Sequence, residues 1–348
     1  MPVPEPPIPS PETPSPNSPE PLLSSPPSPS ISCPCHTITR PAYLHDYVCP
    51  TFHTKPTTYS PAIQASGFLR SQGDHSLYTL FTSTNITLVL IYVDDILIVG
   101  NDISHIEVFK RLVSTHFKAK DLGFLKYFLR LEIARSHKGI FLNQRKYAPD
   151  ILFDSGQLGA RTIPFPIEQH LKLSTEDDDL LTDPCTYICL VGRLIYLTIT
   201  RPDIVYTINI PSQFMHDPRV PPMAAATRVF CYIKGCPGQG IFFSSFSSMH
   251  VTTYIDSDWA SYPITRYFIQ LGTNPISWHT KKQTTVARSS TEAEYQAMAV
   301  IICELTWLKQ LLTNLEISHP ESFTLHCDNQ SALYIAHNPV FHERTKHI

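Results

Sequence analysis

The sequence predicts a mixed α+β protein of the broad α/β class, with more than one folded domain behind a disordered N-terminal tract. Its 348 residues exceed the roughly 250 to 300 at which a single hydrophobic core stops growing. The prolines are concentrated at one end, since 13 of the 32 lie in the first 30 positions. Beyond residue 76, aliphatic strand-like runs alternate with amphipathic helical patterns, which is typical of this class.

Residues 1–60 are rich in proline and serine, and we interpret them as a disordered, partly polyproline linker. Proline removes backbone donors, and the few apolar side chains cannot offset the entropy of ordering. A docking motif such as Pro26-Pro27-Ser28-Pro29 is the alternative. The N-terminus lacks the features of a signal peptide, and no apolar run reaches the ~18 residues needed to span a bilayer. We expect a soluble, intracellular protein with no membrane partner.

Charge and cysteine content exclude few functions. A formal net charge of −3 argues against a dedicated nucleic-acid binder. Residues 101–150, however, hold ten Lys and Arg against five Asp and Glu, and ten minus five gives +5, enough for a phosphate-facing surface or an ordinary solvated face. The nine cysteines show no zinc-finger spacing, so we expect free thiols.

The first folded elements are predicted at 87–91 and 96–99, two strands that flank the adjacent carboxylates Asp94 and Asp95. Such carboxylates repel one another, and Mg²⁺ is a suitable counter-ion because it prefers oxygen ligands. An ordinary Asp-Asp hairpin tip is the alternative. Ser104 and Glu107 then form a capping-box pattern that predicts the start of an amphipathic helix.

Later elements follow in order. A second hairpin is predicted at 131–134 and 140–143, a short helix weakened by Pro149 at 147–153, an acidic loop at 174–183, and helices at 187–198 and 224–234. The last section alternates strands at 250–256, 276–278 and 323–328 with helices at 290–315 and 329–337.

Helical phase separates two glutamates in the long helix predicted at 290–315. Glu294 lies on the apolar stripe that includes Met298, Ile301 and Leu308, whereas Glu292 lies on a more polar face. A carboxylate on a buried stripe needs a partner, and a metal ion is a suitable one. A helix-start residue favoured by the macrodipole is the alternative for both glutamates.

The hairpin resembles the catalytic hairpin of copia-type LTR retrotransposon reverse transcriptases. The similarity includes LVLIYVDDILIVG at 88–100, Asp121-Leu122-Gly123, Leu131-Glu132-Ile133 and the segments 190–197 and 200–204. The resemblance, which spans 61–348, implies two-metal nucleotide addition, with Asp94 as the main ligand of the turn and Asp95 as its partner. The third carboxylate expected upstream has no counterpart, because Asp74 lies in the segment that leads into the hairpin. We therefore expect little polymerase activity.

The C-terminal section resembles the ribonuclease H domain of the same family in DSDWA, PISW, KKQ, SSTEAEY and CDNQSA, which begin at residues 256, 275, 281, 289 and 327. The resemblance implies two-metal hydrolysis of the RNA strand of an RNA/DNA hybrid, with Asp256, Glu294 and Asp328 as Mg²⁺ ligands and Asp258 as a less favoured neighbour. A capping role is the alternative for Asp328, although Asn329 could cap instead. The family's Arg-rich turn and Gly-Tyr are missing after Trp259, which predicts a shortened second strand. The family continues into acidic residues and a final helix after the segment that corresponds to 345–348, so we expect the fourth carboxylate to be absent.

The resulting prediction is a linker at 1–60, a partial reverse transcriptase palm at 61–165, a thumb-like connection at 166–245 and a C-terminally truncated ribonuclease H-like domain at 246–348. By resemblance, its partners are template-primer nucleic acid or an RNA/DNA hybrid and the other domains of a Pol polyprotein. Its location would be a cytoplasmic virus-like particle or the nucleus. The alternatives are a non-catalytic nucleic-acid-binding protein and an inert remnant of a decayed gene.

Overall fold

The computed structural model describes residues 59–117, 119–167, 181–259, 264–283, 285–319 and 321–338. In these ranges the chain mixes helices and strands, which confirms the predicted class. Nearly all of the predicted linker and most of the acidic loop lie outside the described residues, as does the end of the chain. No helix among the described residues is long and apolar enough to cross a membrane.

The first sheet carries the predicted carboxylate hairpin. After helix α1 (Tyr59–Ala65) come four strands in the order β1-β2-β3-β4, with bounds Leu69–Arg70, Leu77–Phe81, Ile86–Tyr92 and Asp95–Gly100. Helix α2 (Ile103–His116) packs Phe109 and Val113 into the same core as Val89 of β3. The predicted cap is wrong, because Asp102 begins the helix by accepting the backbone N–H of His105, and Ser104 lies inside it.

The second sheet joins strands that are distant in sequence. Its order is β5-β6-β7-β8, with bounds Tyr127–Phe128, Leu131–Ser136, Gly139–Asn143 and Gly240–Ser244. Between β7 and β8 the described residues form four α-helices: α3 (Tyr147–Asp154), α4 (Pro184–Leu197), α5 (Val205–Ser212) and α6 (Val220–Gly235). Pro149 is compatible with α3 because it lies in the first turn, where its missing N–H has no helical partner. The sequence reasoning missed α5 and β8.

A buried ion pair holds this helical region together. Arg201 is only 1% exposed and forms two hydrogen bonds to Asp203, at 2.8 and 2.7 Å. Its Nη1 also donates to the carbonyl of Cys236 at the end of α6, at 3.0 Å. The guanidinium therefore links the segment after α4 to the end of α6, with its charge paired inside the fold.

The third sheet has the order β11-β10-β9-β12, with β9 at Val251–Asp258, β10 at Ile264–Leu271, β11 at Asn274–Lys282 and β12 at Thr324–His326. Strands β9 and β12 are parallel, and the other pairs are antiparallel. Helix α7 (Ser290–Asn314) packs on this sheet, and α8 (Gln330–His337) follows β12. The predicted shortening of the second strand is wrong, because β10 pairs with β9 over all eight of its residues.

Candidate functional site

Alternation along β9 sends its carboxylates and its apolar side chains to opposite faces of the third sheet. Val251 and Ile255 are buried in the core that α7 covers. Asp256 and Asp258 lie on the other face, with side chains 54% and 47% exposed. This alternation follows from the two-residue repeat of a strand.

Glu294 of α7 reaches the edge of β9 from the core side. Its side chain is buried at 4% exposure, as its helical phase predicts. One carboxylate oxygen, Oε1, accepts the backbone N–H of Ser257 at 2.8 Å, and the other lies 3.8 Å from the Sγ of Cys327. The carboxylate therefore faces the point where β9 and the end of β12 meet.

Glu294, Cys327 and Asp328 form the metal-binding candidate of the described residues. One ligand atom from each lies within 4.8 Å of the others, and Asp256 is not part of this group. Sequence reasoning missed Cys327, which directly precedes Asp328 in the chain. Because β12 runs parallel to β9 and ends just before Cys327, this residue lies next to Glu294. The two carboxylates suit Mg²⁺, whereas a thiolate favours softer ions such as Zn²⁺.

The electrostatics of this group favour a bound cation. Burial raises the pKa of Glu294, and the nearby charges of Asp256 and Asp328 raise it further, while the hydrogen bond from Ser257 lowers it. Burial likewise raises the pKa of the Cys327 thiol. A carboxylate that is buried and repelled by two others is an incompletely neutralised charge, which a divalent ion would stabilise.

Local hydrogen bonds leave Glu294 and Asp328 available as ligands. Ser289 caps α7 by accepting the N–H of Glu292, whose own carboxylate accepts the N–H of Arg288 at 2.7 Å. Asn329 caps α8 by accepting the N–H of Ala332 at 3.0 Å. Asn329, and not Asp328, is therefore the cap of α8, and Glu294 takes no part in capping α7.

Gln283, from the KKQ segment, connects the three elements around the group. Its side-chain amide nitrogen lies 3.1 Å from the hydroxyl of Ser257 in β9, 3.0 Å from that of Thr265 in β10 and 2.9 Å from the carbonyl of Ala293 in α7. These contacts fix the start of α7 against the sheet and so position Glu294.

The second set of predicted site residues, Asp94 and Asp95, lies at the two-residue turn between β3 and β4. Tyr92 pairs with Asp95, so Val93 and Asp94 form the tip. Val93 has a φ of +52°, a costly conformation for a β-branched residue and one that often marks functional sites. Partial burial raises the pKa of Asp95, and the neighbouring charge of Asp94 adds to this effect.

No third metal ligand joins this pair among the described residues. Asp74 is close in strand register, since the carbonyl of Ser76 accepts the N–H of Ile91. Its carboxylate, however, accepts both the backbone N–H and the hydroxyl of Ser76, at 2.9 and 2.6 Å. Asp74 thus closes a local turn, in keeping with its exclusion as the third ligand.

Comparisons with known proteins identify relatives of both halves of the chain. Residues 53–169 match the family described as reverse transcriptase (RNA-dependent DNA polymerase). The retrovirus-related Pol polyprotein of transposon RE1 from Arabidopsis thaliana is 42% identical over 81% of this chain and 20% of its own length. An uncharacterised mitochondrial protein from the same organism is 40% identical over 63% of this chain and 93% of its own length.

The Pol polyprotein of transposon TNT 1-94 from Nicotiana tabacum is 32% identical over 82% of this chain and 22% of its own length. The chain thus spans about a fifth of the length of the Pol polyproteins that it matches. No solved structure matches significantly.

Proposed function

The chain belongs to the copia-type family of retrotransposon Pol proteins, and from that membership we propose that its C-terminal part is a ribonuclease H. The substrate would be the RNA strand of an RNA/DNA hybrid. The observation that carries the proposal is the buried carboxylate of Glu294, which lies beside Asp328 at the joined ends of two parallel strands. Such a pair of carboxylates is suited to Mg²⁺.

In the proposed mechanism, Glu294 and Asp328 would hold a divalent ion, and Asp256 would complete the set of ligands. When bound, divalent ions activate the attacking water and stabilise the departing oxygen of the phosphodiester. The Ser257 N–H orients the Glu294 carboxylate, since it fixes one oxygen and leaves the other beside Cys327, in the same group as Asp328. Gln283 acts through Glu294 by holding α7 against the sheet.

Hybrid cleavage by the full chain tests the proposal. Wild type should cleave the RNA strand of a hybrid in Mg²⁺ or Mn²⁺, and Glu294→Gln and Asp328→Asn should lower the rate by at least a hundredfold. Glu292→Gln is the matched control, because it changes another buried glutamate, two residues away, whose carboxylate accepts the Arg288 N–H and the Gln296 side-chain amide and lies outside the metal-binding candidate. Cleavage that persists in Glu294→Gln would exclude this site.

We further propose that primer extension by the described palm is weak or absent. Asp94 and Asp95 have no third carboxylate partner among the described residues, and two-metal phosphoryl transfer with half of its ligands should lose orders of magnitude in rate. Extension of a primed RNA template at a rate abolished by Asp94→Asn would contradict this part of the proposal.

Exposed basic side chains favour nucleic-acid binding as a second function. Nine of the basic residues at 101–150 lie among the described residues, and eight of them are exposed: Arg111, Lys120, Lys126, Arg130, Arg135, Lys138, Arg145 and Lys146. Phosphate contacts from such a surface predict affinity for a hybrid that falls steeply with salt. Salt-dependent binding without cleavage at any protein concentration would favour a non-catalytic, intracellular binding protein over the nuclease.

A further inference from the structure

The face of the third sheet opposite α7 holds an arginine between the two exposed carboxylates of β9. The Nη2 of Arg266 lies 2.8 Å from Asp256 Oδ2 and 2.7 Å from Asp258 Oδ2. A single guanidinium nitrogen therefore serves as counter-ion for both aspartates.

The register of β9 and β10 explains why Arg266 lies beside the two aspartates. In the antiparallel pairing of β9 and β10, Arg266 is directly opposite Asp256, so both side chains point to the same face. The guanidinium carbon also lies 4.9 Å from the centre of the Tyr206 ring in α5. With only 24% of its side chain exposed, Arg266 is held by the sheet on one side and by an aromatic ring on the other.

This pairing affects the metal-binding candidate on the other side of β9. Asp256 is close enough to raise the pKa of Glu294, yet it is outside the group formed by Glu294, Cys327 and Asp328. Its Oδ2 is engaged by a permanent positive charge, since arginine does not lose its proton in proteins. A divalent ion at Glu294 and Asp328 would meet the repulsion of that charge and would have to compete with it for Asp256.

We propose that Arg266 is a positioning residue that engages the Asp256 carboxylate, so that Asp256 is withheld from a cation at Glu294 and Asp328, and thereby lowers the affinity of the site for divalent cations. The inference rests on the proposed metal-dependent nuclease. It implies that the site binds cations weakly until Arg266 is displaced, and that the phosphates of a bound hybrid, as alternative partners for its guanidinium, would displace it.

Calorimetric titration of the full chain with Mn²⁺, without nucleic acid, tests the inference. Arg266→Gln should bind Mn²⁺ more tightly, on the order of tenfold, because removal of one nearby charge in a partly exposed site has about this effect. Arg266→Lys keeps the charge and should stay close to wild type. Lys309→Gln is the control for loss of a positive charge, since it lies on α7 about 22 Å from Glu294 at 1.5 Å per residue.

A second variant covers the case in which Arg266→Gln fails to fold. Tyr206→Leu removes the ring beneath the guanidinium without altering the sheet, and it should tighten Mn²⁺ binding by a smaller factor, about two- to threefold. The same titration after addition of double-stranded DNA, which offers phosphates but no RNA strand to cleave, and with the DNA alone titrated as the blank, should show tighter Mn²⁺ binding to wild type and little change in Arg266→Gln.

The outcomes separate this inference from the proposed function. Equal or weaker Mn²⁺ binding by Arg266→Gln and Tyr206→Leu, with binding lost in Glu294→Gln, would overturn the role of Arg266 and leave the metal site intact. Mn²⁺ binding that is unchanged in Glu294→Gln would overturn the metal site itself, and the inference with it.

Discussion

Replacing Gln283 by methionine should destabilise the third sheet and its helix. The amide nitrogen of Gln283 has two hydrogens and lies 2.9 to 3.1 Å from three acceptors. One hydrogen is therefore shared between two acceptors, and the contacts amount to about two hydrogen bonds. Methionine keeps the length of the side chain and removes the donor. A net contribution of about 1 kcal/mol per hydrogen bond gives a loss of about 2 kcal/mol in the free energy of unfolding. Methionine also removes the Oε1 of Gln283, which is buried without a hydrogen-bond partner in the part of the chain that the structure describes, and this offsets about 1 kcal/mol, so the expected net loss is about 1 kcal/mol.

Urea unfolding of the full chain, followed by far-ultraviolet circular dichroism, measures this loss as a shift of the transition midpoint at constant slope. Gln310→Met is the matched control, because that glutamine is exposed on α7, and it should change the free energy by less than about 0.5 kcal/mol. If Gln283→Met falls within the same limit, the three contacts do not hold α7 to the sheet, and the positioning of Glu294 needs another explanation.

Three further predictions concern other parts of the fold. Arg201→Met should lower the free energy of unfolding by about 3 kcal/mol in the same assay, because it leaves Asp203 without its buried partner; an unchanged midpoint would refute this. Val93→Asn should raise it by about 1 kcal/mol, since asparagine tolerates the positive φ of the turn better than valine, whereas Val99→Asn on the adjacent strand should not. In metal-free buffer, Glu294→Gln should be more stable than wild type above pH 4.5, the ordinary pKa of glutamate. Because the pKa of Glu294 is higher in the folded state than in the unfolded state, its ionisation opposes folding. Wild type therefore loses stability as the pH rises from 4.5 through the folded-state pKa. Below pH 4.5 the difference in stability between wild type and Glu294→Gln should vanish. Melting temperatures across this range that stay equal for the two proteins would contradict the assignment.

The periodic pattern of apolar residues predicted several helices and strands of this protein. The alternation of aliphatic residues around Asp94 and Asp95 predicted the hairpin within two residues of its observed bounds. The 3.6-residue repeat from 290 onward predicted α7 and the burial of Glu294. The same repeat placed Glu292 on a more polar face, and this was wrong, because Glu292 is buried as well, at 8% exposure. The hairpin and α7 follow from local geometry, because the period of a helix or a strand decides which side chains share a face.

Local patterns gave a poorer account of where elements begin and what joins them. The capping-box pattern selected Ser104 as the start of α2, whereas the helix begins right after β4, with Asp102 as its cap. The missing turn after Trp259 predicted a shorter second strand, yet β10 is full length. Strand β8 has few local signals of its own and forms by pairing with β7, about a hundred residues earlier.

The sequence by itself determined the family, the class of fold and the set of candidate carboxylates, since each is encoded in short segments of characteristic residues and periodicity. Only the tertiary structure decided which of these groups meet. It placed Cys327 beside Glu294 and Asp328, and it set Arg266 between Asp256 and Asp258. The physical reason is that such contacts depend on the pairing of strands and the packing of α7 and α5 on opposite faces of one sheet, which no local pattern records.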